Sequence, residues 1–213
     1  MRIDIGERVI RRLAAVALLL LTVMALQGWR RTQKLATRAG ERALPSFSAL
    51  MLGVVVYTVV SLKLWRPLPF RLSTVARLAS LVLGSVLYFC GLGLVLSGRI
   101  AMGEMHNVSS VLGVRLNPQH RLVTTGPFAI VRHPMYVGAA LMAVGGILIY
   151  RTWTLVLIAL HWPVFLLRAA REEQALATRF GEQWTAYAQQ VPAWLPRLQR
   201  TPSKAAEPPH REH

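Results

Sequence analysis

The sequence predicts an all-α, polytopic membrane protein with about five transmembrane helices, and three observations support this fold class. Of its 213 residues, 54% are hydrophobic and only 16% are charged, and the mean hydropathy is +0.40. Such a balance is typical of a chain whose solvent is the lipid bilayer. Apolar blocks recur along the chain, and no soluble alternation of strand and helix patterns and no internal repeat interrupts them.

The apolar blocks set the number of predicted spans. They cover residues 9–27, 46–65, 78–97 and 135–167. The third block has no charge, and a helix rising about 1.5 Å per residue would cross a bilayer core of about 30 Å within it. The fourth block is too long for one crossing. Arg151 at its centre, after Gly145-Gly146, predicts a tight turn between two short helices at 135–150 and 152–167, which gives a C-terminal helical hairpin.

The charge pattern predicts an orientation for these spans. The net charge is +16, from 25 basic and 9 acidic residues. No nucleic-acid-binding motif is present, so basic loops that face anionic membrane lipids explain this charge better than nucleic acid does. If residues 28–45, 98–134 and 168–213 are cytoplasmic, 16 of the 25 basic residues lie on that side. We therefore expect a multi-pass protein, and its arginine, alanine and leucine bias favours a bacterial inner membrane.

Three regions follow from this division of the chain. Residues 1–97 are expected to form about three N-terminal transmembrane helices, residues 98–197 a core that contains the hairpin 135–167, and residues 198–213 a disordered tail rich in proline and charge. One cysteine excludes a disulfide framework. The histidines lack the close spacing of a metal site on one helix, and no Gly-x-Ser-x-Gly motif is present, so neither a metal nor a serine nucleophile is predicted.

Two polar segments border the predicted hairpin, and the hairpin would hold them together at one membrane face. In the first, Pro134 suits the first turn of a helix, because its missing N–H would have no partner there. The free amides of that helix start, with Arg132 and His133 beside them, suit an anion such as a carboxylate. The alternative is that Arg132 and His133 are only interfacial anchors.

The second polar segment begins where the last apolar block ends. Arg168 and Glu172 lie four residues apart, on one helical face, and charged side chains at the end of a spanning helix tend to have a function. The alternative is a surface ion pair of little energetic consequence. A stripe of apolar residues follows, suited to lying either on the membrane or on the protein core: Leu176, Phe180, Trp184 and Tyr187.

These two segments have a recognisable form. The stretch "HRLVTTGPFAIVRHPMYVG", a short apolar hairpin and then "REEQALATRFGEQWTAYAQQVPAWLP" resemble the isoprenylcysteine carboxyl methyltransferase and phospholipid methyltransferase superfamily of integral membrane enzymes. The resemblance covers about residues 99–197. It implies an enzyme that uses S-adenosylmethionine without a soluble nucleotide-binding domain, through segments at the cytoplasmic face.

The resemblance also implies roles for individual residues. Glu172 matches the acidic residue that holds the cofactor, and Arg168 matches the arginine near the methyl acceptor, which makes it the candidate catalytic residue. Phe128 stands where many members have tyrosine, so any hydrogen bond from that hydroxyl is lost here. The remaining positions that match cofactor-lining residues are His120, Leu122, Val123, His133, Pro134 and Tyr136.

The expected function is methyl transfer to a lipophilic small molecule or lipid acceptor, with carboxyl methylation of a prenylated cysteine as the family prototype. Within the same class, an amine headgroup, a quinone-like hydroxyl or a small thiol remain possible acceptors. Two readings from other classes also stay open: a non-catalytic membrane scaffold and a membrane reductase that uses NADPH. Binding of S-adenosylmethionine separates the first hypothesis from the scaffold, and competition between the two cofactors separates it from the reductase.

Overall fold

The structure, a computed structural model, describes residues 2–38, 47–103 and 121–197. Its helices are α1 (Arg2–Arg38), α2 (Phe47–Lys63), α3 (Thr74–Met102), α4 (Pro134–Tyr150), α5 (Trp153–Ala159), α6 (Trp162–Phe180) and α7 (Glu182–Gln190), with a 3₁₀ turn at Gly126–Ala129. These described ranges contain no strand, and only a single bridge pairs Pro67 with Thr152. The predicted all-α class is confirmed. The predicted tail at 198–213 lies outside the described residues.

Helices occur in all the predicted apolar blocks, but their lengths differ from those of the predicted spans. Within the described ranges, two stretches are long and apolar enough to cross a membrane, Thr74–Met102 and Trp153–Phe180, and Pro134–Tyr150 is a shorter apolar helix. Five crossings therefore remain a prediction.

The ends of α3 and α4 follow local sequence signals. The Ser73 hydroxyl accepts a hydrogen bond from the Ala76 amide and so caps the start of α3. α4 begins at Pro134, as its lack of an N–H predicts. It ends at Tyr150, and Arg151 follows in the left-handed conformation with φ 54°. α4 therefore stops where the sequence predicts a turn.

The second half of the predicted hairpin differs from the expectation. Instead of one helix over 152–167, α5 ends at Ala159 and α6 starts at Trp162 and continues to Phe180. Pro163, in the first turn of α6, has no N–H to continue the hydrogen bonding of α5, which explains the break. Arg168 and Glu172 consequently lie within α6.

Glycines join α3 and α4 into an antiparallel pair with touching backbones. A Cβ added at Gly91 would lie 2.5 Å from the Gly138 carbonyl oxygen, and one added at Gly145 would lie 2.6 Å from the Gly84 carbonyl oxygen. Such approach is possible only for residues without a side chain. Gly145 is thus part of the interface between α3 and α4, inside the helix that the sequence predicts over 135–150.

α1 packs along this helix pair, and α2 contacts α5. Ala14 of α1 is 1% exposed, and its carbonyl accepts a hydrogen bond from the Tyr88 hydroxyl at 2.8 Å. α2 is joined to α5 through the Thr154 hydroxyl, which donates to the Ser61 carbonyl at 2.6 Å. α1 thus contacts both helices of the pair.

A buried carboxylate joins α1, α3 and the link after α4. Glu7 is 3% exposed. It accepts hydrogen bonds from Arg77 at 2.7 Å and from Arg151 at 2.6 Å, and it pairs with Arg11 at 2.6 Å. Burial opposes ionisation of this carboxyl, but the bonds from Arg77 and Arg151 outweigh it and hold the pKa of Glu7 below its ordinary value. We call these four residues the Glu7 cluster. It fixes the end of α4 that lies farthest from Pro134.

Candidate functional site

The first turn of α4 is tied to the chain that follows α7. The Arg132 amide donates to the Pro192 carbonyl at 2.8 Å, and the His133 amide donates to the Ala193 carbonyl at 3.1 Å. His133 is the residue before the helix, and Pro134 is its first residue. The two polar segments that the sequence singled out therefore meet at this helix start.

His133 and Arg132 share one carboxylate of α6. The Glu173 Oε1 atom lies 2.9 Å from His133 Nε2 and 3.0 Å from Arg132 Nε. Because a carboxylate only accepts, the contact assigns a proton to Nε2 of the imidazole. The guanidinium of Arg132 also donates to the carbonyls of Ala188 and Val191, at 2.8 and 2.9 Å. Arg132 thus fastens the start of α4 to α6 and to the end of α7.

Tyr136 and Arg168 share the neighbouring carboxylate. The Tyr136 hydroxyl donates to Glu172 Oε1 at 2.7 Å, and Arg168 Nε donates to the same oxygen at 3.1 Å. The side chains of Arg168 and Glu172 are only 18% and 26% exposed. The predicted pairing of these two residues is thus present, in a partly buried setting rather than on an open surface.

The two networks stand side by side because of helix geometry. Successive residues of an α-helix project about 100° apart. Glu172 and Glu173 are adjacent in α6, so one carboxylate meets the Tyr136 side of α4 and the other meets its start at His133. Both residues keep part of their surface open, 26% for Glu172 and 29% for Glu173.

Aromatic side chains form a continuous surface next to these networks. The Trp194 ring stacks on His133 with ring centres 5.0 Å apart and meets Trp162 edge-on at 5.9 Å. Phe165 lies 5.6 Å from the Tyr136 ring and 6.0 Å from that of Trp162. We call Tyr136, Trp162, Phe165 and Trp194 the aromatic wall. It joins the start of α4 to the first turn of α6.

A hydrophobic cluster supports the site from the side of α7. Trp184, Tyr187 and Val191 are buried together, and Leu122 packs against them. The Tyr187 hydroxyl donates to the Phe128 carbonyl at 2.7 Å, and burial raises the pKa of this tyrosine to about 12, so the hydroxyl keeps its proton. The apolar stripe predicted over α6 and α7 therefore lies on the protein core.

The other predicted cofactor-lining residues occupy different places. Phe128 is 9% exposed, in the 3₁₀ turn. Leu122 packs against the hydrophobic cluster of Trp184, Tyr187 and Val191, and Val123 is half-buried. The structure thus brings His133, Tyr136, Glu172 and Arg168 together, whereas Leu122 and Phe128 contact the supporting cluster. His120 lies outside the described residues.

The arrangement combines groups that suit a zwitterionic, positively charged ligand. Two partly exposed carboxylates lie next to a helix start that no side chain of the described residues caps. Carboxylates favour an ammonium or sulfonium charge, and uncapped amides at a helix start favour a carboxylate. Across the described ranges, no group of three His, Cys, Asp or Glu is placed to hold a metal ion.

Two residues of this site were missed by sequence reasoning. Glu173 was overlooked because only Glu172 lies four residues from Arg168, although its position beside Glu172 was a usable signal. Trp194 is the only tryptophan of the "VPAWLP" stretch, and nothing local to that stretch indicates contact with a histidine 61 positions earlier. Both contacts are set by the tertiary fold.

Comparison with known proteins gives matches over this same region. Residues 79–183 match the model of the phospholipid methyltransferase family. A protein-S-isoprenylcysteine O-methyltransferase of Schizosaccharomyces pombe is 32% identical over 114 residues, which cover 53% of this chain and 48% of that protein. Protein-S-isoprenylcysteine O-methyltransferase B of Arabidopsis thaliana is 31% identical over 107 residues, covering 49% and 54%.

A third relative has a different acceptor in its name. A methanethiol S-methyltransferase of Pseudomonas deceptionensis is 32% identical over 161 residues, which cover 69% of this chain and 58% of that protein. The chain spans about half the length of the curated relatives it matches.

Proposed function

Because residues 79–183 belong to the isoprenylcysteine carboxyl methyltransferase and phospholipid methyltransferase superfamily, we propose that this protein transfers a methyl group from S-adenosylmethionine to a lipophilic acceptor at the membrane. One observation carries the proposal beyond the family match. Both carboxylates of α6 contact the start of α4, at His133 and at Tyr136. These contacts bring the two motif segments together, which supports a single site between them.

The chemistry of these side chains fits S-adenosylmethionine. When bound, this cofactor supplies a methyl group on a positively charged sulfur. Glu172 is proposed to bind its amino group through Oε2, since both hydrogen bonds that Glu172 accepts from Tyr136 and Arg168 fall on Oε1. The first-turn amides of α4 are proposed to receive its carboxylate.

Glu173 is proposed to act one step further from the ligand, as a positioning residue. It holds Nε2 of His133 and the guanidinium of Arg132 on the same oxygen. This arrangement fixes the imidazole orientation and the direction of the α4 start, and hence the direction of the amides. Such pre-orientation lowers the cost of binding, because fewer groups have to be ordered when the ligand arrives.

Arg168 and the aromatic wall are proposed to bind the acceptor. Arg168 is positively charged and only 18% exposed, so it suits an anionic or polar atom of the acceptor. The aromatic wall offers an apolar surface beside it for a prenyl or acyl group. Exclusion of water between these surfaces would favour transfer to an anionic acceptor, since opposite charges disappear as the methyl group moves.

A prenylcysteine-like carboxylate is the first acceptor we propose, because the relatives from Schizosaccharomyces pombe and Arabidopsis thaliana carry that activity in their names. A small thiol is the second, because the methanethiol S-methyltransferase aligns over 69% of the chain. Both would use the same donor site. They differ in how much of the aromatic wall they cover.

The membrane setting is part of the proposal. We propose a multi-pass protein with this site at the cytoplasmic face, in agreement with the 16 basic residues of the loops assigned to that side. The two stretches that meet the length and hydropathy criteria, α3 over Thr74–Met102 and α5 with α6 over Trp153–Phe180, support membrane insertion. Under this topology the donor arrives from water and the acceptor from the bilayer.

The decisive experiment measures donor binding and methyl transfer by the purified full chain. The protein is incubated with methyl-labelled S-adenosylmethionine and a panel of prenylcysteine, phospholipid, amine, quinol and thiol acceptors. We expect Glu172→Gln and His133→Ala to lose at least about tenfold in donor affinity, as for loss of a hydrogen bond to a charged group. Glu182→Gln makes the same chemical change at an exposed position of α7 and serves as the matched control.

The outcomes separate the hypotheses. Donor binding that depends on Glu172 but not on Glu182, with turnover on one acceptor class, supports the proposal and identifies the acceptor. A folded protein that does not bind the donor would support a non-catalytic scaffold instead. Full donor affinity in both Glu172→Gln and His133→Ala would refute the site assignment.

A further inference from the structure

A second polar cleft lies at the opposite end of α4. It has a volume of about 300 Å³. Its lining includes Arg11 of α1, Trp65 and Phe70 of the segment after α2, and Tyr150, Arg151 and Thr152 at the end of α4 and in the link to α5. Sixteen helical steps of about 1.5 Å separate Pro134 from Tyr150, so this cleft is about 24 Å from the methyltransferase site. We call it the Arg151 cleft.

The Arg151 cleft carries an excess of positive charge. Arg11 and Arg151 both pair with Glu7 at 2.6 Å, and Arg77 pairs with Glu7 and with Asp4. Three guanidinium groups thus face two carboxylates. The Arg11 side chain remains 37% exposed and that of Arg151 17% exposed. Since a guanidinium has five N–H donors, both arginines can keep their bonds to Glu7 and bind a second anion.

A buried hydroxyl in the same wall is closed off from the cleft. Thr152 is only 7% exposed, and its Oγ1 atom has no hydrogen-bond partner among the described residues. The Oγ1 atom has essentially no accessible surface, so a ligand oxygen in the cleft would contact the guanidinium groups of Arg11 and Arg151 and not this hydroxyl.

The walls of the cleft indicate where such a ligand comes from. Trp65 and Phe70 are 51% and 57% exposed, and the Trp65 ring packs against that of Tyr150 with centres 5.5 Å apart. Tryptophan and tyrosine beside arginine are typical of the zone where a membrane protein meets lipid head groups. The aromatic rings suit the glycerol and the first carbons of a lipid, and the arginines suit its phosphate.

We propose that the Arg151 cleft binds the phosphate group of an anionic phospholipid head group, on the membrane face opposite the methyltransferase site. Arg11 and Arg151 hold the phosphate oxygens. A bound lipid joins α1 to the link between α4 and α5 and stabilises the fold. This site does not depend on the proposed enzymatic function.

The test measures thermal unfolding of the full chain in detergent micelles with added phosphatidylglycerol, phosphatidylcholine or inorganic phosphate. Phosphatidylglycerol is expected to raise Tm, since a ligand that binds only the folded state stabilises it. Phosphatidylcholine is expected to have little effect, because its choline cation offsets the charge of its phosphate and is repelled by the two arginines. Arg11→Gln is expected to weaken the apparent lipid affinity by about tenfold, as for a lost charge-assisted hydrogen bond. Arg12→Gln removes the same charge at an exposed neighbouring position and is expected to bind as the parent does.

Thr152→Val is a control within the wall of the cleft. Its hydroxyl is out of reach of the ligand, so the lipid-induced rise in Tm should equal that of the parent. A rise with phosphatidylglycerol alone supports a lipid ligand, and an equal rise with inorganic phosphate supports the same site with a soluble ligand. Equal losses in Arg11→Gln and Arg12→Gln would mean attraction to the overall charge of +16 and would overturn the proposal. No rise in the parent protein would overturn it as well.

Discussion

Replacement of Gly91 by alanine tests the glycine interface that positions the start of α4. The new Cβ would lie 2.5 Å from the Gly138 carbonyl oxygen and 2.9 Å from the Met142 amide nitrogen, both backbone atoms of α4. Carbon and carbonyl oxygen rarely approach closer than about 3.3 Å. The two helices would therefore have to separate by nearly 1 Å, because no flexible side chain is present that can move aside.

The expected loss of stability follows from two opposing effects. Overpacking of this kind costs about 1–3 kcal/mol. Alanine gains up to about 1 kcal/mol over glycine in helix propensity. Because the clash is with backbone at two places, we expect a net loss of about 1–2 kcal/mol for Gly91→Ala. Gly93→Ala is the matched control: it lies two residues further along α3, and its added Cβ would meet nothing within 4 Å. It should gain the propensity without the clash.

Thermal unfolding in detergent measures the difference between the two variants. For a chain of this size, 1 kcal/mol corresponds to about 2–4 °C in Tm. We expect Gly91→Ala to unfold roughly 5–10 °C below Gly93→Ala and to bind S-adenosylmethionine more weakly, since α4 carries Tyr136 and begins next to His133. If both alanine variants unfold at the same temperature, the direct backbone contact between α3 and α4 is refuted.

Two further predictions concern the aromatic wall and the Glu7 cluster. Trp194→Ala removes the ring that stacks on His133 at 5.0 Å and should raise KM for a lipophilic acceptor by about tenfold. Trp194→Phe keeps an aromatic ring and should bring KM most of the way back to the parent value. An unchanged KM in both variants would argue against the aromatic wall as the acceptor surface. The pKa of Glu7 is lower in the folded protein than the ordinary glutamate pKa of 4.5. Its ion pairs therefore stabilise the fold at pH values above 4.5, and this stabilisation is lost as the pH falls through the pKa of Glu7 in the folded protein. Glu7→Gln should cost roughly 1–3 kcal/mol at pH 7, because it removes the buried charge that three partly exposed arginines share. It should also weaken the acid dependence of Tm, and the same acid dependence in Glu7→Gln as in the parent would contradict this role.

The helix starts and ends were the most predictable part of the fold. Proline at the first position of α4 and a charged residue between two apolar stretches act through the local backbone, so Pro134 and Arg151 marked the limits of that helix correctly. The break before α6 could also have been predicted, because Pro163 carries the same local signal. The prediction of one helix over 152–167 followed hydrophobicity alone, and the apolar block continues without interruption past Pro163.

The role of glycine inside a helix was not predictable in the same way. A turn and a close helix contact both favour glycine, and the sequence offers no local feature that separates them. Gly145 and Gly146 lie near the predicted turn, yet a Cβ on Gly145 would lie 2.6 Å from the Gly84 carbonyl oxygen and one on Gly146 would lie 2.8 Å from the Leu155 side chain. Only the arrangement of α3, α4 and α5 decides between the two roles.

The same distinction explains which half of the site was found. Glu172 was identified because its partner Arg168 lies four residues away on the same helix, where contact follows from helix geometry. Glu173 pairs with His133, forty residues earlier, and this contact exists only because α4 and α6 pack together. Glu172 contacts Arg168 within its own helix, whereas Glu173 holds α4 and α6 together. Substitution of the two carboxylates should therefore have different effects. Glu172→Gln should weaken ligand binding with the fold intact, whereas Glu173→Gln should also loosen the start of α4.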